Sequence, residues 1–559
     1  NADQQDADGN GVGDACDCDQ DFDGAPEDLG PEQCPDNPTE YCIGGRAENC
    51  LDNCPSVANP TQSDVDGDGT GDACDTDADD DGVLDIDDNC PLVANPGQAD
   101  ADHDGYGNAC QTRVVDTGSG EEAASPERVI WGQGNGDLFG KRGASGDVNG
   151  DGLQDLVVGA PDADGPSDGR SGCGAVYVFY GPIDNDIDLA SVAANVEIHG
   201  ESNGYELGFG VVTGDLDGDG TDDLVLGSPG GDGGGGMDAG QVHVIYGGGS
   251  LASTIDLAST TSDLTIYGEK PGDRLGENAL VYDSDNNGSL DLVMASPDSD
   301  SDFNLLVDGG ELWVLRQENL SDGLTLSPFN VDNYINGADA DDRIGTALAA
   351  GDVDGDGTDD LLVGVPLGDG DGDGFAEAGE VYILGGADVI TARQEIQLAD
   401  AGHYTARIFG GAPADEAGGA VAAGDVDGDG IDDLLVGTPG QGSPPGAAAR
   451  PNAGGAYILL GRADFSGVDG QVFDDVAKHA IFGEAEGGRV GTSVALVDFD
   501  GDGNQDYLLG APEDDGPDGS RANAGSVSVV DGTRIDDATY VVDLATVPAA
   551  QVFHAASAD

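Results

Sequence analysis

Six times between residues 147 and 506 the chain repeats one spacing of oxygen donors, D-x-D-x-D-G-x-x-D. Two copies fit with little variation around an apolar run, "GDVDGDGTDDLLVGVP" and "GDVDGDGIDDLLVGTP". Crowding like charges is costly, so three readings compete: a disordered acidic tract, a solubilising surface, or a cage for a hard cation. The spacing decides for the cage. Side chains at alternate positions of a tight loop converge on one centre, the glycine permits the sharp turn, and the seventh residue can add its backbone carbonyl. That is a cage of six to eight oxygens for Ca²⁺, built as an EF-hand loop is. Zinc or copper would draw on His or Cys, and neither type stands at these positions. The loop stops at position nine, short of the bidentate twelfth ligand of an EF-hand, and runs straight into an apolar segment.

The six sets are Asp147, Asn149, Asp151, Asp155 with the Leu153 carbonyl; Asp215, Asp217, Asp219, Asp223 with Thr221; and Asp283, Asp285, Asn287, Asp291 with Ser289. They continue with Asp352, Asp354, Asp356, Asp360 with Thr358; Asp425, Asp427, Asp429, Asp433 with Ile431; and Asp498, Asp500, Asp502, Asp506 with Asn504. The third set is the weakest. A further run, Asp369, Asp371, Asp373 and Glu377, repeats the spacing outside the main loops.

Nearer the N-terminus the acids follow a twelve-position frame. Asp64, Asp66, Asp68, Thr70 (carbonyl), Asp72 and Asp75 hold positions 1, 3, 5, 7, 9 and 12, as do Asp77, Asp79, Asp81, Val83 (carbonyl), Asp85 and Asp88. Asp6, Asp8, Asn10, Val12 (carbonyl), Asp14 and Asp17 repeat it. Asp19, Asp21, Asp23 and Glu27 begin another that an insertion interrupts, and Asp100, Asp102, Asp104, Tyr106 (carbonyl) and Asn108 make the last. Cys54 with Cys74 and Cys90 with Cys110 each bracket one frame. About eleven Ca²⁺ sites are expected in all.

These loops need elements to hold them. In 559 residues there are 112 acidic residues against 18 Lys plus Arg, a net charge of −94. That excludes binding to nucleic acid or an anionic membrane through a basic face and makes folding costly unless the repulsion is neutralised. Cages account for the clustering but not for the whole surplus, which points to saline or calcium-rich surroundings. Nine of the ten cysteines precede residue 111 and no zinc-finger CxxC set appears, so this segment reads as disulfide-stapled and extracytoplasmic. It has almost no apolar residues, and ions with disulfides must do the work of a core. No apolar stretch reaches the length of a membrane span. The chain opens in mid-repeat at "NADQQDADGNGVGDAC", so its first residue is not expected to be the start of the encoded protein.

From about residue 126 the composition changes. The acidic loops recur every 68 to 73 residues, each between a strand-like segment such as "VEIHG" and an apolar run such as "DLVLGSP", followed by a Gly-rich stretch and a strand such as "AGQVHVIYG". Four-strand units of this length, repeated radially, predict an all-β propeller.

Two resemblances follow. "DVDGDGTGDACD" at 64–75 and "DNCP" at 88–91 resemble thrombospondin type 3 repeats. "LFG" at 138–140, "GDVNGDGLQDLVVGAP" at 146–161 and "GAVYVFYG" at 174–181 resemble the FG-GAP repeats of integrin α-subunit propellers. The first resemblance implies an irregular calcium-ordered stalk over 1–111. The second implies a calcium-bearing disc over 128–559, with 112–127 as linker. Integrin-type propellers have seven blades, whereas six full units are visible and a seventh begins at "QVFHAASAD", 551–559. Either the chain belongs to a longer seven-bladed protein, which the mid-repeat start favours, or six blades close with a surplus strand, or another chain completes the ring.

The histidines are scattered, no HExxH or GxSxG occurs, and "GNGDLFGKR" lacks the Ser or Thr of a phosphate loop. The expectation is a secreted or surface-displayed calcium-binding structural or adhesion protein without catalysis, part of a larger extracellular assembly, whose partners are other surface proteins or copies of itself. The alternative is a binding module that anchors or delivers a secreted enzyme.

Overall fold

The computed structural model describes residues 130–554 except 135, 167–168, 184–186, 250, 301–305, 371–374, 387–394, 445–446, 500–503, 515–524, 531, 533–539 and 546–550; before them it describes 114–116 and residues 70, 74–76, 78 and 83. The chain divides into two compact units, Asn1–Arg113 and Val114–Asp559.

The second unit is a six-bladed β-propeller. In blade 2 the sheet runs outward as Val211–Gly214, Asp223–Ser228, Gln241–Ile245 and Leu264–Tyr267, all antiparallel. A short fifth strand, Leu324–Thr325, lies parallel on the fourth. It comes from the next repeat, in the connection between the third and fourth strands of blade 3. All six blades share this five-stranded plan.

The local sequence explains it. Innermost strands such as Ala347–Gly351 (ALAAG) and Ala420–Gly424 (AVAAG) are built of small residues where neighbouring blades crowd together. Second and third strands such as Asp360–Val365 and Glu380–Leu384 are buried along their whole length. Their apolar runs do not alternate because both faces meet a neighbouring blade. One core cluster, for example, joins Val293, Leu312 and Val314 of blade 3 to Leu361, Val363 and Tyr382 of blade 4.

Two expectations change. Residues 551–559 were expected to open a seventh unit; instead Gln551–His554 is the fourth strand of blade 6, paired antiparallel with Ser526–Val530. The strand that opens each sequence repeat closes the preceding blade, so repeat and blade are one strand out of phase. Likewise Val114–Asp116, inside the expected linker 112–127, is a strand that pairs parallel with Gln551–His554 as the fifth strand of blade 6.

Candidate metal centres

Every acidic loop is the hairpin between the first and second strands of a blade, which brings all six to one end of the propeller. The first aspartate organises the turn. Asp352 accepts the N–H groups of Asp356 (3.0 Å) and Gly357 (2.9 Å) on its two oxygens, and Asp215, Asp283, Asp147 and Asp425 hold their loops alike. The fifth-position side chain then caps the carbonyl residue: Leu153, Thr221, Ser289, Thr358 and Ile431 each donate N–H, at 2.8–2.9 Å, to the side chain two residues earlier. Glycine is required at these turns, where Gly220 and Gly357 have φ of +90° and +87°.

The ninth position is different. Asp155, Asp223, Asp291, Asp360, Asp433 and Asp506 each begin a second strand and are buried. One oxygen of each accepts the N–H that follows the first aspartate, and the other accepts an N–H just past the third strand, as in Leu216 and Gly247 on Asp223, both at 2.8 Å. The same pair recurs as Val426 and Gly461 on Asp433, and as Phe499 and Gly532 on Asp506. Burial pushes the Asp223 and Asp433 carboxyls up to about 6 and Asp360 up to about 7; backbone donors oppose the shift and neighbouring loop aspartates add to it. Asp155 and Asp291 are raised for the same first reason. An ionised carboxylate here is costly without a cation beside it.

Four loops gather three carboxylates with ligand oxygens within 4.8 Å of one another: Asp215, Asp217 and Asp223; Asp283, Asp285 and Asp291; Asp352, Asp354 and Asp356; and Asp425, Asp427 and Asp433. Converging, charged, all-oxygen donors fit Ca²⁺ and not a softer metal. The remaining expected side-chain ligands of these loops, Asp219, Asn287, Asp360 and Asp429, are not in those sets. In the first loop Asp147, Asp151 and Asp155 are not gathered so closely, and Asn149 donates its amide to Asp155 at 3.3 Å. In the third, Arg316 Nε lies 3.1 Å from Asp285. In the sixth, Asp498, Asn504 and Asp506 are described, but Asp500 and Asp502 lie outside the described residues. So do Asp371 and Asp373 of the extra run, and every stalk ligand except Thr70, Asp75 and Val83. Cys74 is disulfide-bonded, and Cys54, Cys90 and Cys110 lie outside the described residues.

Spacing alone did not reveal the eighth-position aspartates. Asp222 exchanges bonds with the preceding loop, accepting from Asp147 N–H at 2.8 Å and donating to its carbonyl at 3.0 Å; Asp432 does the same with Asp352 at 3.1 and 3.0 Å. The doubled acid in "TDD" and "IDD" was the available signal. Cys173, the one cysteine beyond residue 111, is a buried free thiol. Arg170 is engaged by Asp256 at 2.6 Å.

Comparison with known proteins agrees with this anatomy. The thrombospondin type 3 repeat model matches residues 5–40 and 63–98, a calcium-binding repeat. The FG-GAP repeat model matches 139–179, 207–245, 344–384, 417–459 and 490–530, covering every blade but the third. A phosphatidylinositol-glycan-specific phospholipase D of Bos taurus is 29% identical over 383 residues, spanning 64% of this chain and 43% of that protein. Its Homo sapiens counterpart is 30% identical over 314 residues, 54% and 35% of the two chains. Integrin alpha-PS2 of Drosophila melanogaster is 32% identical over 180 residues, 32% and 11% of the two. The chain spans less than half the length of each. Because several of these relatives are named as enzymes, the expectation of a protein without catalysis does not hold. No helix among the described residues is long and apolar enough to cross a membrane. With its stalk and blades matched separately, the chain is a protein of thrombospondin type 3 repeats followed by an FG-GAP β-propeller.

Proposed function

We propose that this chain is a calcium-ordered extracellular stalk and propeller that engages other surface proteins, and that it serves an activity directed at phosphatidylinositol-glycan anchors. The observation that carries the calcium part is the recurrence of converging carboxylates at the same hairpin of blades 2 to 5. Six propeller loops and five stalk frames, about eleven ions with the ligand sets given above, are the full form of the reading. Ions in the hairpins would fix the loops that face a partner, so binding would follow calcium. The link to glycan anchors rests on the named phospholipases, with which the chain shares more than half its length.

The test is release of a phosphatidylinositol-glycan-anchored reporter from vesicles, with the 559-residue protein present in calcium or in chelator. Calcium-dependent release, or calcium-dependent binding to the anchored reporter without release, supports the reading. Equal behaviour in both conditions, with neither binding nor release, removes it. The integrin relative favours adhesion as a second reading, for which calcium-dependent capture of a surface protein lacking such an anchor is the distinguishing outcome.

A further inference from the structure

Neighbouring acidic loops are not all joined in the same way. Between blades 1 and 2, Asp222 accepts the Asp147 N–H at 2.8 Å and donates its own N–H to the Asp147 carbonyl at 3.0 Å. Gly248 adds a third bond, donating to the Val148 carbonyl at 3.0 Å. Blades 4 and 5 repeat all three: Asp432 with Asp352 at 3.1 and 3.0 Å, and Arg462 with the Val353 carbonyl at 2.9 Å. Two sequence positions must agree for this. The eighth residue of one loop must be aspartate, and the residue ahead of the preceding loop must be glycine. A Cβ on Gly146 would lie 2.7 Å from Asp222 Oδ2, and one on Gly351 2.6 Å from Asp432 Oδ2.

The next junctions fail one condition or the other. Blade 3 has Leu290 at the eighth position, facing Gly214 of blade 2. Blade 4 has Asp359, but the buried Tyr282, paired with Asp291 as Gly351 is with Asp360, stands where the glycine would be. Blade 6 has Gln505. Among the described residues no hydrogen bond joins Leu290 to Asp215, Asp359 to Asp283 or Gln505 to Asp425. Single side-chain bonds link the loops of blades 2 and 3 and of blades 3 and 4: Gln317 Nε2 to the Leu216 carbonyl (2.8 Å) and Asn286 Nδ2 to the Gly357 carbonyl (2.9 Å). Neither touches a residue of a ligand set.

Each fastened pair joins ligand to ligand. Asp147 and Asp352 are first aspartates, whose side chains hold their own turns, and the neighbouring blade takes both their backbone N–H and their carbonyl. Asp222 and Asp432 are themselves followed in the chain by Asp223 and Asp433, the buried ninth aspartates of the next loop. An ion that orders one loop therefore fixes the backbone of a ligand in the other, and a second ion meets a loop with less freedom left to lose. We propose that the loops of blades 1 and 2, and those of blades 4 and 5, take up calcium as coupled pairs. Asp222 and Asp432 are the positioning residues that carry the coupling, and it does not cross from blade 2 to 3, 3 to 4 or 5 to 6. This rests on the calcium reading given above. Such coupling is reciprocal, so emptying either member of a pair should weaken the other to the same extent.

The experiment is hydrogen exchange of the 559-residue protein over a calcium titration, read by mass spectrometry on peptides covering residues 147–153 and 215–221. Both peptides should gain protection over one calcium range. Asp217→Ala removes an exposed ligand of the blade 2 loop and should raise the calcium midpoint of the blade 1 loop by about fivefold or more. Asp222→Ala, which removes no ligand, should separate the two midpoints and leave the blade 1 loop indifferent to Asp217→Ala. Asp285→Ala, in the blade 3 loop, should leave the blade 2 midpoint within about twofold, as independent sites do. A blade 1 midpoint that Asp217→Ala does not move overturns the coupling and leaves the calcium reading standing, as does an equal shift across both junctions. An Asp222→Ala protein that loses protection equally in both peptides at every calcium concentration also overturns it, since Asp222 is then only a structural tie. No gain of protection by either peptide in calcium removes the calcium reading and the coupling together.

Discussion

Replacing Asp223 by Asn separates a calcium ligand from a hydrogen-bonding bolt. The carboxylate is fully buried and accepts Leu216 and Gly247 N–H, each at 2.8 Å. Its pKa, raised from 3.8 to about 6, means that ionising it without a cation costs ~3 kcal/mol. Asn removes that charge but keeps one acceptor and turns an amide donor towards the other N–H, a loss of ~1–3 kcal/mol. In chelator the two effects offset to within about 2 kcal/mol. In calcium at a hundredfold excess over Kd, one site contributes ~2.7 kcal/mol, and Asp223→Asn should forfeit most of it. Denaturant unfolding of both proteins in calcium and in chelator gives the double difference, with Asp400→Asn, an exposed acid outside the loops, as control. If Asp223→Asn loses the same stability in both conditions and binds as many ions as the parent, the carboxylate ties the hairpin and holds no metal.

Stability should change with pH in opposite senses with and without calcium. In chelator, Asp223 and Asp433 near 6 and Asp360 near 7 bind protons in the folded state that the unfolded chain has released, so stability falls as pH rises from about 4 to 7. In calcium, protons compete with the ion and stability rises over the same window; thermal melts at pH 5 and 7.5 read both slopes. Gly276→Ala, at φ +97° against the Gln241 carbonyl, should cost more than ~2 kcal/mol, whereas Gly140→Ala, with open space around it, should cost only the ~1–2 kcal/mol of its backbone conformation. Equal melting shifts for the two would contradict the packing described. Cys173, buried with its thiol pKa raised by burial, should resist thiol reagents until the propeller unfolds.

The propeller was legible because its signal is repeated: six acidic hairpins each followed by a doubly buried apolar strand. The phase of repeat against blade was not, since "VEIHG" and "QVFH" read as strands without saying which neighbour they join. That is settled by pairing across 26 residues, as between Val527 and Phe553. The three residues Val114–Asp116 are too short for any periodicity, and only their parallel bonds to Gln551–His554 make them a strand. In the candidate centres the first and third positions converge in all four gathered sets, as their spacing implies, and the third carboxylate varies: the ninth position in three loops, the fifth in the loop of Asp352. The bonds from Asp222 and Asp432 to the preceding loop belong to blade-to-blade packing, which no single loop encodes.

The most direct test of calcium cages is the number of Ca²⁺ ions bound per chain, by equilibrium dialysis and elemental analysis, with thermal unfolding of the same samples at fixed high salt. Cages predict about eleven ions, loss of most of them to chelator, and a large fall in the melting temperature that salt does not restore. Few bound ions, with a melting temperature set by salt and indifferent to chelator, would make the aspartates a salt-adapted surface and not ligands.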